Sequence, residues 1–161
     1  MQKIKPCLWF DDRAEEAVNF YVSVFKKDSE ILNVSRYSEE GAKVSGRPNG
    51  SVMTVDFRIY GQEYLALNGG PMFTFSEAIS FIINCENQDE VDELWEKLSE
   101  GGSKSRCGWL KDKFGLSWQI VPDALRMLMQ SKDHERTKRV MAALFKMDKI
   151  DIKTLQAAYG D

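Results

Sequence analysis

Ser117 and Gln119 stand two residues apart in Leu116-Ser-Trp-Gln-Ile-Val121, the spacing that puts two side chains on one face of a strand. Both are neutral hydrogen-bonding groups. They can orient a polar molecule, but neither is a general base near neutral pH. Ser80, in the apolar run Ala78 to Cys85, is a third such group, and Asn68, closing Tyr64 to Asn68, is a fourth. Trp109 follows Gly108 and precedes the polar turn Lys111-Asp112-Lys113. Two readings stand for this tryptophan: it caps a pocket mouth, or it packs on the C-terminal tail. The turn is solvent-exposed, or one of its lysines meets an anionic ligand.

The stronger chemistries lack their residues. Glu15-Glu16 and Asp89-Glu90 with Asp92-Glu93 fall on helix surfaces, as solubility faces rather than acid/base pairs. Cys107 has no adjacent His or Lys to activate a thiolate and reads as a core cysteine. His134, the one histidine, lies in the charged run Lys132-Asp-His-Glu-Arg136, solvated at a helix start. No nucleophile elbow, P-loop or dinucleotide fingerprint is present. Arg36, Lys43 and Arg47 surround a Gly/Pro-containing stretch that is either a lid or a solvated loop.

The elements that position these residues come in a repeated order. Ile4 to Phe10 is apolar after Lys5 and reads as a strand buried on both faces. Asp11-Asp12 can cap the helix that follows, Arg13 to Phe25, with Ala14, Ala17, Val18, Tyr21 and Phe25 on one face. Ser29 to Tyr37 is a strand, Glu39 to Asn49 a loop by its glycines and Pro48, and Val52 to Tyr60 an alternating strand. Gly61-Gln62 turns into Glu63 to Leu67, a hairpin. Asn68-Gly-Gly-Pro71 breaks the chain. Then the order restarts: strand Ala78 to Cys85, helix Asn87 to Leu98, and strands Ser103 to Leu110 and Leu116 to Val121. After Pro122 come three short helices, over Ala124 to Met129, over His134 to Met147 and after Asp151. Their apolar stripes must lie on the body or on a partner chain.

By strand period, Leu8, Phe10, Ser80, Ser117 and Gln119 fall on the concave face with Pro6 and Ala78. That face is either a small apolar pocket with polar anchors or plain core. Trp9 and Trp118 take the opposite face, under the helices.

At 161 residues, 43% hydrophobic, 29% charged and with net charge −3, the chain fits a soluble domain with no basic nucleic-acid footprint. No apolar run approaches a membrane span. Met1-Gln-Lys-Ile-Lys5 enters a strand with no signal-peptide core, and the odd cysteines Cys7, Cys85 and Cys107 show no CxxC spacing. A reducing cytoplasm is the expected location.

Three segments together resemble the vicinal oxygen chelate superfamily, the glyoxalase and bleomycin-resistance fold, and within it the PhnB-like, 3-demethylubiquinone-9 3-methyltransferase-like branch. They are Pro6-Cys-Leu-Trp-Phe-Asp-Asp-Arg-Ala-Glu-Glu-Ala-Val-Asn-Phe-Tyr21; Ala66-Leu-Asn-Gly-Gly-Pro71 leading into Glu77-Ala-Ile-Ser-Phe81; and Gly108-Trp109 to Pro122. The similarity is expected to extend through the tail ending Ile150-Asp-Ile-Lys-Thr-Leu-Gln-Ala-Ala-Tyr159.

The resemblance implies an α+β fold of two βαβββ modules, spanning residues 1–70 and 71–122, that form a cupped, barrel-like mixed sheet, with a C-terminal helical extension over residues 123–161. It implies a homodimer. In metal-using relatives four His or Glu ligands come from these strands. Here the positions fall at Pro6, Asn68, Ala78 and Gln119, so no metal is expected. A one-residue shift to Cys7 would offer a thiolate without partners. An S-adenosylmethionine enzyme would normally carry a glycine-rich strand-to-helix turn, and Gly69-Gly70-Pro71 opens no helix. The expectation is a metal-independent protein without a cofactor that binds a small molecule through Leu8, Phe10, Asn68, Ser80, Trp109, Ser117 and Gln119. An enzyme of unknown reaction and a structural dimer with an occluded core are the rivals.

Overall fold

The computed structural model describes residues 2–160; Met1 and Asp161, the outer limits of the expected domain spans, lie outside the described residues. The chain divides into two compact units, 1–75 and 76–161.

The first unit runs β1 (Cys7–Phe10), α1 (Ala14–Phe25), β2 (Glu30–Arg36), α2 (Glu39–Ser45), β3 (Val52–Ile59) and β4 (Gln62–Asn68). The sheet order is β1-β4-β3-β2. Only β1 and β4 pair in parallel; the others are antiparallel. The apolar stripe of α1 (Ala14, Ala17, Val18, Tyr21, Val24 and Phe25) is buried. Tyr21 stacks on Phe57 of β3, which stacks on Tyr64 of β4. The hairpin β3–β4 turns on Tyr60 and Gly61, both at positive φ, as a two-residue turn matching strand twist requires.

The expected loop at Glu39 to Asn49 contains a helix instead. Ser38 caps α2 by accepting from the Gly41 N–H at 3.1 Å, Lys43 pairs with Glu39 one turn back, and Gly46 takes the left-handed C-cap conformation at φ 71°. The glycines that suggested a loop include the helix's own stop signal. The strand expected at Ile4 to Phe10 is shorter, beginning at Cys7, and one-sided: Leu8 and Phe10 are buried, Cys7 exposed.

The second unit repeats the topology. It runs β5 (Ser80–Cys85), α3 (Gln88–Ser99), β6 (Ser103–Lys104), β7 (Trp109–Lys111) and β8 (Ser117–Pro122), ordered β5-β8-β7-β6, with β5 and β8 parallel. Asn87 caps α3 by accepting from the Glu90 N–H at 3.0 Å. Val91, Leu94, Trp95 and Leu98 of α3 are buried, as are Ile83, Cys85, Leu110, Trp118 and Ile120 on the facing side of the sheet. Strand pairing stays within each unit. The expected barrel-like sheet is therefore two four-stranded mixed sheets, neither closed. Ser103 to Leu110, expected as one strand, is two short antiparallel ones joined by a turn in which Cys107 and Gly108 have φ of 57° and 81°.

The helical tail belongs to the second unit. Its helices α4 (Asp123–Met129), α5 (His134–Leu144) and α6 (Ile152–Tyr159) enclose Val140, Leu144, Ile150 and Leu155, with Leu125, Leu128 and Tyr159 packed around them. Backbone hydrogen bonds tie it to the body: Cys107 N–H to Met147 O at 2.9 Å and Gly108 N–H to Asp148 O at 2.7 Å. Gln88 of α3 donates to Ile150 O and accepts from Ile152 N–H. Within the chain the tail therefore packs on the second module. No helix among the described residues is long and apolar enough to cross a membrane.

Candidate functional site

The seven residues expected to bind a ligand separate into two groups. Leu8, Phe10 and Asn68 sit in the first unit, where all three are buried. Leu8 aligns with Ala66 and Phe10 with Asn68, and Ala66 aligns with Val55, on the side that α1 covers. Leu8 and Phe10 are buried there, and Phe10 meets Phe75 edge to face. Their expected place on the open face is corrected by the packing of α1. Trp9, expected beneath a helix, takes the open side instead. Its indole N–H donates to Gly70 O at 2.8 Å and its ring meets Phe73 edge to face.

Asn68 spends its whole side chain on the fold. Its Oδ1 accepts from Ala14 N–H at 2.8 Å, and its Nδ2 donates to Val52 O at 3.1 Å. Asp11 and Asp12, expected to cap α1, do not: the N-cap residue is Arg13, with no side-chain cap bond. The cap comes from Asn68.

Ser80, Trp109, Ser117 and Gln119 do come together, on the face of the second sheet opposite α3. Register builds two rows across three strands. Lys111, Ser117 and Ser80 align in one; Trp109, Gln119 and Ile82 align in the next. Gln119 Nε2 donates to Ser80 Oγ at 2.8 Å, linking the rows. Ile82 is 58% exposed, so this face is open in the chain. Trp118 points the other way, into the core beneath α3, as expected.

Beside the first row lies a pocket of about 240 Å³, lined by Trp109, Lys111 and Ser117 together with Glu77, Ser103, Lys104 and Ser105. At its floor Ser117 is 1% exposed, and its Oγ has no hydrogen-bond partner among the described residues. Lys111 Nζ meets Glu77 at 2.6 Å, and Lys104 Nζ meets Glu96 at 2.6 Å. The hydrogen bond from Lys111 holds the Glu77 carboxyl below the usual range. Glu77, Ser103, Lys104 and Ser105 escaped the sequence reading. They lie outside or at the ends of the strands, where no periodicity reports which way a side chain points.

The Lys111-Asp112-Lys113 turn is not wholly exposed. Asp112 is 2% exposed. Its Oδ1 accepts from Phe114 N–H at 2.8 Å and Leu116 N–H at 3.1 Å, and its Oδ2 from Trp118 Nε1–H at 2.8 Å.

The family model described as 3-demethylubiquinone-9 3-methyltransferase matches residues 2–121. The chain belongs to this family. The PhnB protein from Bacillus cereus is 37% identical, with a TM-score of 0.67 over 75% of this chain and 99% of that one. A protein from Pseudomonas aeruginosa is 20% identical, with a TM-score of 0.57 over 76% and 98%. A fosfomycin resistance protein, FosX, from Listeria monocytogenes, solved with Mn(II) and 1S,2S-dihydroxypropylphosphonic acid, is 16% identical, with a TM-score of 0.54 over 75% and 93%. These last two share the fold. No curated protein matches the chain. The family match stops before Pro122, so the similarity expected through the helical tail is not found there.

The fold's metal chemistry, where relatives use it, needs donors that this PhnB-like chain does not offer. Pro6 and Ala78 have no donor side chain, Asn68 is engaged on both sides, and Gln119 offers only one neutral amide oxygen. Among the described residues no three His, Cys, Asp or Glu side chains cluster to hold an ion. The residues at these positions do not fit a divalent metal. Burial pushes the Cys85 thiol up to about 12, with Glu90 and Asp123 adding to it, and partial burial also raises Cys7.

Proposed function

We propose that this PhnB-like protein binds a small organic molecule, without a metal, on the open face of its second sheet. One observation carries the reading: the buried, unpartnered hydroxyl of Ser117 at the floor of the pocket. A buried polar group without a partner costs about 1–3 kcal/mol. A ligand atom placed there would complete it.

That cost supplies a test. Ser117→Ala removes the unmet hydroxyl, so the free protein should gain about 1 kcal/mol of stability in urea unfolding while ligand binding weakens. A stability loss with unchanged binding would make Ser117 ordinary core.

Native mass spectrometry of protein purified without a metal-affinity step addresses the rest of the reading. The expected species is a dimer with no stoichiometric metal, carrying an added small-molecule mass. One divalent ion per subunit would overturn it. The dimer is proposed because edge strand β2 carries exposed apolar side chains, Ile31 and Leu32, that a second copy would cover. Three free cysteines suit a reducing cytoplasm.

A second reading, an enzyme of unknown reaction, draws on the Gln119–Ser80 pair as a substrate-orienting group. Turnover lost in Gln119→Ala with binding retained would favour it. The methyl transfer in the family's name gains no support from the glycines: Gly69-Gly70-Pro71 leads into a helix-free stretch before β5.

A further inference from the structure

We infer that the pocket's ligand is a small organic anion, its acidic group held between Lys111 and Ser117 and its body laid on Trp109. This rests on the binding role proposed above and adds the ligand's charge.

The first cross-strand row is a row of proton donors. Lys111 and Ser117 align directly on neighbouring antiparallel strands, so their Cβ atoms lie about 5 Å apart on one face. An ammonium has three N–H bonds and nothing to accept with. The Ser117 hydroxyl is buried with its proton unused by the protein. Ser80, aligned with Ser117 on its other side, accepts from Gln119 and keeps its own proton to give. An acidic group carries two or more acceptor oxygens and no proton, the complement of this row. A cation would meet Lys111 and Lys104. A neutral molecule could satisfy Ser117 but would gain little from the lysine.

Glu77 already plays the ligand's part. Among the described residues it is the one carboxylate lining the pocket, and it holds Lys111 by an ion pair whose acidic side chain is 61% exposed. Exposed pairs of this kind are weak and exchange readily. An incoming acid can take the place of Glu77 at Lys111 and reach Ser117, which Glu77 leaves unpaired. Trp109, half-buried in the adjacent row, offers the flat apolar surface beside the acid. The volume of about 240 Å³ lies below the roughly 300–1,000 Å³ of drug-sized pockets, so the body is short.

Benzoate, benzamide and benzamidine are close in shape and differ in charge, and they separate charge recognition from pocket filling. The readout is two-dimensional ¹H–¹⁵N NMR of the full chain, following the Trp109 indole N–H and the amides of 103–117. Benzoate should bind about tenfold more tightly than benzamide, and benzamidine should leave these signals in place. Lys111→Met should erase the advantage of benzoate and leave benzamide unchanged. Glu77→Gln, which frees Lys111, should tighten benzoate several-fold. Equal binding of benzoate and benzamide in both wild type and Lys111→Met overturns the anion assignment and leaves the binding role standing. If none of the three compounds moves signals on this face, the binding role falls with it.

Discussion

Asp112→Ala should cost the protein about 3–5 kcal/mol, more than any other substitution in the KDK turn. Three donors end on this one carboxylate: the Phe114 and Leu116 N–H groups on Oδ1 and the Trp118 indole on Oδ2. Leu116 and Trp118 are buried beside it, so water does not replace the lost acceptor. Each orphaned buried donor costs about 1–3 kcal/mol, and bonds to a charged acceptor sit at the upper end. For a chain of this length that corresponds to a midpoint lowered by about 10 °C.

Asp112→Asn sharpens the test. The amide keeps one oxygen for the two backbone donors but turns an N–H₂ toward the indole, donor against donor, so it should fall between wild type and alanine. Trp118→Phe removes the indole's donor while leaving the backbone pair. A double-mutant cycle between Asp112→Ala and Trp118→Phe should then show a coupling of about 1–3 kcal/mol. Lys113→Ala, two residues from the same strand end, should sit within about 0.5 kcal/mol of wild type. An Asp112→Ala protein within 1 kcal/mol of wild type would mean that the turn is held by something other than this carboxylate.

The contrast between Asp112 and its neighbours shows where the sequence stops being readable. Three charged residues in a row read as solvent-facing because most are. What meets the middle one is a tryptophan whose inward face follows from strand period, but period does not say that an indole N–H needs an acceptor six residues back. The same limit explains Leu8 and Phe10. Alternation sorts a strand into two faces; the run Cys7-Leu-Trp-Phe10 is apolar on both, so no polarity contrast says which face the helix takes. In β8 the contrast exists. Ser117 and Gln119 alternate with Trp118 and Ile120, and those two sets did separate as expected. The paired topology was legible because each module repeats its own helical and strand periods. The pocket was not, because Glu77 and Lys104 reach it from positions 27 residues apart that no local pattern connects.

Asn68→Leu is the second large effect, and it separates a structural role from the binding role that position alone suggested. Leucine matches asparagine in size but offers neither bond. Ala14 N–H, at the start of α1, loses its capping acceptor 54 residues away in sequence, and Val52 O loses its donor. Both losses fall in buried surroundings, since Asn68 is 4% exposed and Ala14 fully buried. The backbone oxygen of Asn68 also receives the Tyr37 hydroxyl at 2.7 Å, so a shift of the strand end spreads to β2's exit. The expected loss is about 2–4 kcal/mol in urea unfolding, carried by the first unit. Asn68→Asp keeps an acceptor for Ala14 and suits the positive end of a helix, but it sets a carboxylate against the Val52 carbonyl. It should recover part of the loss, not all. If Asn68 instead served the ligand, Asn68→Leu would abolish benzoate binding and leave stability untouched. Here the reverse is expected: benzoate shifts at Trp109 persist in whatever fraction remains folded, because the pocket and its donors belong to the second unit and make no use of Asn68.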